Sequence, residues 1–109
     1  MNDDDALAAL AALAHPTRLT TYRLLVRHEP EGLTTGQLVE ATGLTQSTFS
    51  THLAVLVHAG LVVSERSGRH FIQRARIDTL RALMLFLARD CCQGRADLCA
   101  PLIAELTCC

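Results

Sequence analysis

Two short helical segments joined by a tight turn occupy the middle of this chain. Thr34 opens the first with a capping-box pattern, in which Gln37 follows three residues later, and Gly43 marks its end. Two residues beyond that glycine, Thr45 can cap a second helix, which stops at Gly60. Two helices joined by so short a glycine-containing turn are typical of a helix-turn-helix.

The second of these helices has two faces of opposite character. Phe49, Leu53, Leu56 and Val57 recur at helical spacing and predict a buried face. Short polar side chains occupy the remainder, as in a helix that enters the major groove of DNA. Glutamine can pair with adenine, and hydroxyls suit bases or phosphates. The candidate DNA-binding residues on this helix are Gln46, Ser47, Thr48, Ser50, Thr51 and His52.

A basic hairpin is predicted directly after this helix. Residues 61–66 and 69–74 have the character of two strands, with Ser67-Gly68 at the tip. Arg66 and Arg69 flank that tip, where they could reach phosphates or a minor groove, or simply provide solubilising charge.

The charge is unevenly distributed along the chain. The formal net charge is −1, which alone argues weakly against a nucleic-acid partner. Between residues 41 and 76, however, Glu65 is the only acid against Arg66, Arg69, Arg74 and Arg76, a local balance of +3. Such a local basic patch is typical of a DNA-binding surface.

Further helices are expected on both sides of this unit. A leucine- and alanine-rich helix is predicted over residues 5–14, and another from Pro16 to His28. A last helix should begin near Asp78 and end near Gly94, with an apolar stripe that includes Leu80, Leu83, Met84 and Leu87. The expected fold is mainly α with a small β-hairpin, a winged helix-turn-helix of about five helices. The leucine-rich first and last helices need partners, which favours a homodimer.

The length of 109 residues supports one domain, which we place at residues 1–94, followed by a cysteine-containing tail at 95–109. No apolar run approaches the roughly 18 residues of a membrane span, and the N-terminus is acidic where a secretory signal would be basic. A cytoplasmic protein without a membrane partner is therefore expected.

All five cysteines lie in the last nineteen residues: Cys91, Cys92, Cys99, Cys108 and Cys109. Their number is odd, and structural disulfides are rare in the cytoplasm. Metal or redox chemistry is the natural interpretation of this cluster.

Three stretches of the chain resemble the arsenical-resistance repressor family, also called ArsR/SmtB. They are LAHPTRLTTYRLL (Leu13–Leu25), GLTQSTFSTHLAVLVHAGLV (Gly43–Val62) and the following Arg66-Ser67-Gly68-Arg69. The resemblance implies a winged helix dimer formed by the first and last helices. It also implies operator DNA bound by the fourth helix and wing, release when a metal binds, and no enzymatic activity.

The family's familiar sensor positions cannot serve here. Thr34, Thr35 and Gly36 stand where many arsenite sensors of the family have Cys-x-Cys, and Asp78 has no histidine companion from residue 71 onward. Three thiolates suit a soft three-coordinate ion better than zinc. We therefore predict that Cys91, Cys92 and Cys99 bind As(III), or by similar chemistry Sb(III), with Cys108 and Cys109 as accessory ligands at most.

Two alternatives remain at this stage. The same repressor could sense redox conditions by forming a disulfide within Cys91, Cys92 and Cys99. A thiol-dependent reductase is the more remote alternative, because the chain has no Cys-x-x-Cys, βαβ pattern or phosphate-binding loop. Cys91 also continues the apolar stripe of the last helix, so it could pack in the core.

Overall fold

A computed structural model describes residues 1–89 together with Ala100, Pro101 and Glu105. Within this part of the chain the elements are α1 (Asp3–Leu13), α2 (Pro16–Arg27), β1 (Leu33–Thr34), α3 (Thr35–Thr42), α4 (Gln46–His58), β2 (Val62–Ser67), β3 (His70–Ala75) and α5 (Ile77–Ala88). The three strands form an antiparallel sheet in the order β1-β3-β2. The predicted fold class is confirmed: five helices and a small β-hairpin form a winged helix-turn-helix.

The ends of α3 and α4 are fixed by the predicted local interactions. Thr34 Oγ1 accepts a hydrogen bond from the Gln37 amide at 3.1 Å, and Gln37 Oε1 accepts one from the Thr34 amide at 2.8 Å. Gly43 has a φ of 70°, a left-handed conformation that favours glycine and ends α3. Thr45 caps α4 by accepting from the Thr48 amide at 3.3 Å.

Strand β1 joins the hairpin to the segment before α3, a pairing that sequence did not predict. Leu33 pairs with Gln73, and Thr34 pairs with Ile72. Gly32 precedes this strand with a φ of 73°, and a Cβ there would lie 2.5 Å from the Gln73 carbonyl oxygen. The close approach of these backbones therefore requires glycine at this position.

The core lies among α2, α3, α4 and the base of the hairpin. Its largest fully buried apolar side chains are Phe49, Leu25, Leu38, Leu56, Leu61 and Val62. The predicted buried face of α4 is confirmed for Phe49, Leu53 and Leu56, but it is wrong for Val57, which is 39 % exposed. Val57 lies about 80° around the helix from Phe49, at the edge of the apolar stripe.

Helix α1 turns its smallest side chains inward and its largest outward. Ala6, Ala9 and Ala12 are buried, whereas Leu7 is 63 % exposed and Leu10 is 40 % exposed. Asn2 caps this helix in a capping box with Asp5, which places its start two residues before the predicted one.

Helix α5 begins as predicted but ends earlier. It terminates at Ala88, where Arg89 leaves helical backbone with a ψ of 138°, rather than near Gly94. Helix α5 therefore ends where its apolar run gives way to the charged Arg89. Leu83 is buried, whereas Met84, Leu85 and Leu87 are exposed. In the described part of the chain, no helix is both long and apolar enough to cross a membrane.

Candidate nucleic-acid interface

The N-terminal half of α4 presents the polar surface that sequence predicted. Gln46, Ser47, Thr48, Ser50 and Thr51 are all exposed, and His52 is half-buried. They follow a short turn in which the left-handed Gly43 ends α3 and Thr45 caps α4. The buried face of α4 is anchored in the core, which leaves this surface available to a groove of DNA.

Two hydroxyl groups on this surface are oriented by bonds within the helix. Thr45 Oγ1 donates to Thr48 Oγ1 at 2.9 Å, and Thr51 Oγ1 donates to the Ser47 carbonyl at 3.1 Å. Thr48 and Thr51 remain exposed to solvent. The surface is therefore partly ordered before any ligand binds, which reduces the entropic cost of binding.

His52 joins the polar surface of α4 to the junction between α1 and α2. Its ring packs against His15 with centroids 4.4 Å apart, and Arg18 NH1 lies 3.3 Å from His52 Nδ1. Arg18 Nε donates to the Ala12 carbonyl at 2.6 Å, at the C-terminal end of α1. His15 Nδ1 accepts from the Thr17 amide at 3.1 Å and so caps α2.

This contact determines which nitrogen of His52 carries the proton. A guanidinium can only donate, so Arg18 makes His52 Nδ1 the acceptor, and the proton of the neutral ring lies on Nε2. Partial desolvation, followed by the influence of His15 and Arg18, lowers the pKa of His52 below its ordinary value. Sequence reasoning identified His52 but missed His15 and Arg18. The capping position of His15 beside Pro16 was the available signal.

The hairpin carries its two predicted arginines in different positions. Its tip is Gly68-Arg69, one residue later than predicted, because Ser67 pairs with His70. Arg69 therefore lies in the turn itself. Arg66 lies opposite Phe71, and its guanidinium carbon is 6.0 Å from the centre of the phenyl ring. Phe71 is 51 % exposed, and sequence reasoning did not identify it as a candidate.

The other two arginines of the predicted basic patch are neutralised by acids. Arg74 NH2 lies 3.0 Å from Glu29 Oε2, and Arg74 NH1 lies 3.2 Å from Glu65 Oε1. The hydrogen bond and charge of Glu29 raise the pKa of Arg74 above its ordinary value. Arg76 contacts Asp78 at 3.4 Å. The unbalanced positive charge of the hairpin is thus concentrated at its outer end, on Arg66 and Arg69.

The predicted metalloid ligands Cys91, Cys92 and Cys99, like Cys108 and Cys109, lie outside the described residues. Among the residues that are described, no group of three or more His, Cys, Asp or Glu side chains could hold a metal ion. Thr34 and Thr35 support the start of α3, with Thr34 as its cap.

Comparisons with known proteins identify what this arrangement is similar to. A family profile described as a helix-turn-helix domain matches residues 13–65. The HTH-type transcriptional regulator YgaV of Escherichia coli strain K12 is 30% identical over 89 residues, which cover 82% of this chain and 88% of that protein. The probable mercury resistance operon repressor of Streptomyces lividans is 37% identical over 82 residues, covering 72% of this chain and 63% of that protein.

Solved structures agree with these relatives. An ArsR-like transcriptional regulator from Rhodococcus sp. RHA1 superposes with a TM-score of 0.72 at 23% identity, covering 95% of this chain and 93% of that one. Mb0332 from Mycobacterium bovis, described as a homodimeric winged helix-turn-helix DNA-binding domain and a possible ArsR-family regulator, has a TM-score of 0.65 at 26% identity. That match covers 81% of this chain and 85% of that one.

Proposed function

Because the chain belongs to the ArsR family of winged helix-turn-helix transcriptional regulators, we propose that it is a homodimeric repressor that As(III) releases from operator DNA. The observation that carries the DNA-binding part is the polar face of α4, formed by Gln46, Ser47, Thr48, Ser50, Thr51 and His52. It follows the short turn at Gly43 and precedes a hairpin with unbalanced charge at its end. In this proposal α4 enters the major groove, and Arg66 and Arg69 contact the flanking backbone or minor groove.

The exposed leucines of α1 and α5 support the homodimer. Leu7 and Leu10 on α1, and Leu85 and Leu87 on α5, are 40 % to 63 % exposed. Large apolar side chains concentrated on two helices favour burial against a second copy. The Mycobacterium bovis relative is described as homodimeric, which agrees with this arrangement. Two copies of α4 would then meet two half-sites about one turn of DNA apart.

The effector proposal depends on the cysteines near the C-terminus. Cys91, Cys92 and Cys99 supply three sulfur atoms, and As(III) prefers three soft ligands. Sb(III) has similar chemistry. The Streptomyces lividans relative is named for mercury resistance, so Hg(II) is a second thiophilic ion worth comparing. The cytoplasm suits this proposal, since it keeps thiols reduced and holds the operator DNA.

Binding at the end of the dimerisation domain, residues 1–94, would alter how the two α4 helices are spaced. The coupling must be reciprocal: arsenite weakens operator binding by the same factor by which DNA weakens arsenite binding, typically about 1–3 kcal/mol. In this scheme the tail, residues 95–109, contributes Cys99 and closes the site.

Titration of the operator complex tests the effector. An operator is first selected from random-sequence DNA with the wild-type protein. The complex is then titrated with arsenite, antimonite, Hg(II) and Zn(II) under a thiol-free reductant. We expect Cys91→Ser, Cys92→Ser and Cys99→Ser each to raise the arsenite concentration for half-release by about tenfold or more, in line with the loss of one of three ligands.

The double variant Cys108→Ser/Cys109→Ser is the matched control and should release like the wild type. Release of Cys92→Ser or Cys99→Ser at the wild-type arsenite concentration would show that the ligands are assigned wrongly. If arsenite does not release the complex under the reductant, but an oxidant releases it once the reductant has been removed, the redox alternative is favoured. The relatives are described as transcriptional regulators, which gives no support to a thiol-dependent reductase.

A further inference from the structure

Gln73 is a buried polar side chain that links the hairpin to the helix-turn-helix. It is 2 % exposed. Its Oε1 accepts a hydrogen bond from Ser64 Oγ on β2, and its Nε2 donates to Thr35 Oγ1 at 3.0 Å. A buried amide without partners costs free energy, so the side chain is held where both bonds can form. Thr35 is the first residue of α3, so one side chain joins β2, β3 and the helix-turn-helix.

The pair Ser64–Gln73 belongs to the face of the hairpin that continues from the core. On this face, called here the inner face, Val62 pairs with Ala75, Ser64 with Gln73, and Arg66 with Phe71. The first pair is buried in the core, and the last is exposed. Arg66 is two residues further along β2 than Ser64, toward the tip of the hairpin. Two residues of strand span about 7 Å, so Arg66 lies about that far from the bond between Ser64 and Gln73.

Arg66 is itself oriented by its neighbours near the tip of the hairpin. Its guanidinium lies over the Phe71 ring, and its Nε donates to the Gly68 carbonyl at 3.3 Å. The position of Arg66 relative to α4 then depends on how the hairpin is held against α3. The pairing of β1 with β3 ends at Ile72, and beyond it the hairpin is a two-stranded ribbon with little stability of its own. The side-chain bonds of Gln73 lie at the base of this ribbon and restrict its bending.

We infer that Gln73 is a positioning residue for DNA binding, which holds the hairpin so that Arg66 reaches the DNA backbone while α4 occupies the groove. This inference rests on the proposed function. Gln73 touches no DNA in this arrangement, and its effect passes through Arg66. Without the two bonds, the outer part of the hairpin samples several orientations. Binding must then order it, and the entropy lost in doing so lowers the affinity for DNA.

The dependence of affinity on salt separates this role from a merely structural one. Each phosphate that a protein neutralises contributes about −0.9 to the slope of log affinity against log salt concentration. Gln73→Met retains the side-chain volume, removes both hydrogen bonds and changes no charge. If Gln73 positions Arg66, this uncharged substitution should nevertheless make the slope less steep, by up to about one per subunit.

The experiment measures operator affinity at several salt concentrations for wild type, Gln73→Met, Arg66→Ala and their double variant. We expect both single variants to weaken binding by about fivefold to thirtyfold and to reduce the slope similarly. The double variant should lose little more than Arg66→Ala alone, because the two changes remove the same contact. Ser50→Ala on α4 is the control: it weakens binding but leaves the slope unchanged.

An unchanged slope in Gln73→Met, or additive losses in the double variant, would overturn the inference while leaving the proposed function intact. If the wild type binds no DNA, the inference about Gln73 and the proposed function are both wrong. If Gln73→Met does not fold, judged by its circular dichroism, Thr35→Val decides the question. That variant removes the acceptor of the Gln73 amide at an edge of the core, and the same reduction of slope is expected.

Discussion

His52 lies where α4 meets the junction of α1 and α2, and its protonation opposes the folded arrangement. The groups that face it are His15 and Arg18, and desolvation and both neighbours lower its pKa. The unfolded chain therefore binds this proton more tightly. As pH falls from the ordinary histidine value of 6.5 towards the lower pKa of folded His52, the free energy of unfolding decreases, and it levels off below that pKa.

We predict that His52→Gln removes part of the acid destabilisation of the wild type. The measurement is thermal unfolding between about pH 5 and pH 8, and the readout is the change of the midpoint with pH. His58→Gln, at an exposed histidine in the last turn of the same helix, is the control, and we expect it to change the pH dependence less than His52→Gln does. Equal pH dependence in wild type and His52→Gln would contradict the prediction.

Helix α3 contains one glycine and ends at another, and the two have different backbone requirements. Gly43 has a φ of 70°, and a Cβ there would meet no atom within 4 Å, so the cost of alanine is purely conformational. Gly36 lies within α3 without a positive φ, and its nearest contact would be Thr34 Oγ1 at 3.9 Å. We predict that Gly43→Ala lowers the free energy of unfolding by about 1–2 kcal/mol.

Gly36→Ala is the matched comparison and should raise the free energy of unfolding by about 0.4–1 kcal/mol, because alanine reduces the entropy of the unfolded chain and favours helix. Urea unfolding of both variants checks the pair. Stabilisation by both substitutions would mean that the turn adopts another conformation in solution.

The helix ends were predictable because the interactions that fix them are local. Thr34 and Gln37 bond each other across three residues, and Gly43 acts through its own backbone. The links that hold the hairpin are not local. Gln73 bonds Thr35 at a separation of 38 residues, and Arg74 bonds Glu29 at 45. No periodicity or local pattern indicates such pairs. The sequence therefore predicted an extended Leu33 but not its pairing with the hairpin, and it counted Arg74 as free charge.

In the candidate interface, too, the features set by local sequence were predictable and those set by long-range pairing were not. The exposed face of α4 followed from helical spacing, since Phe49, Leu53 and Leu56 define the side that is buried. Phe71 was missed because its position opposite Arg66 depends on the register of the hairpin. Placing the tip one residue early put Arg66 and Arg69 in equivalent positions, whereas the observed register puts Arg69 in the turn and Arg66 over an aromatic ring.

At the scale of the whole molecule, the exposed leucines of α1 and α5 should decide the state of association. We predict that Leu10→Glu weakens the proposed dimer about a hundredfold or more, because a symmetric interface receives two carboxylates from one substitution. Sedimentation or light scattering measures the effect. Val57→Glu is the control, since Val57 is 39 % exposed and Leu10 is 40 % exposed, but Val57 lies on α4.

A dimeric Leu10→Glu protein with wild-type affinity for itself would place the interface elsewhere. Dissociation by Val57→Glu to the same extent would mean that the loss reflects added charge in general and not the surface of α1.

Helix α1, with alanines inside and leucines outside, also bears on how the protein responds to its own abundance. A monomer whose fully buried residues along this helix are all alanines gains little stability from the helix alone. If pairing supplies the missing burial, the fraction of competent repressor rises more steeply than the number of chains in the range where dimers form. Repression would then depend on a threshold concentration of the protein. A modest fall in its synthesis, or a modest rise in its degradation, would restore transcription by more than the proportional change in protein concentration.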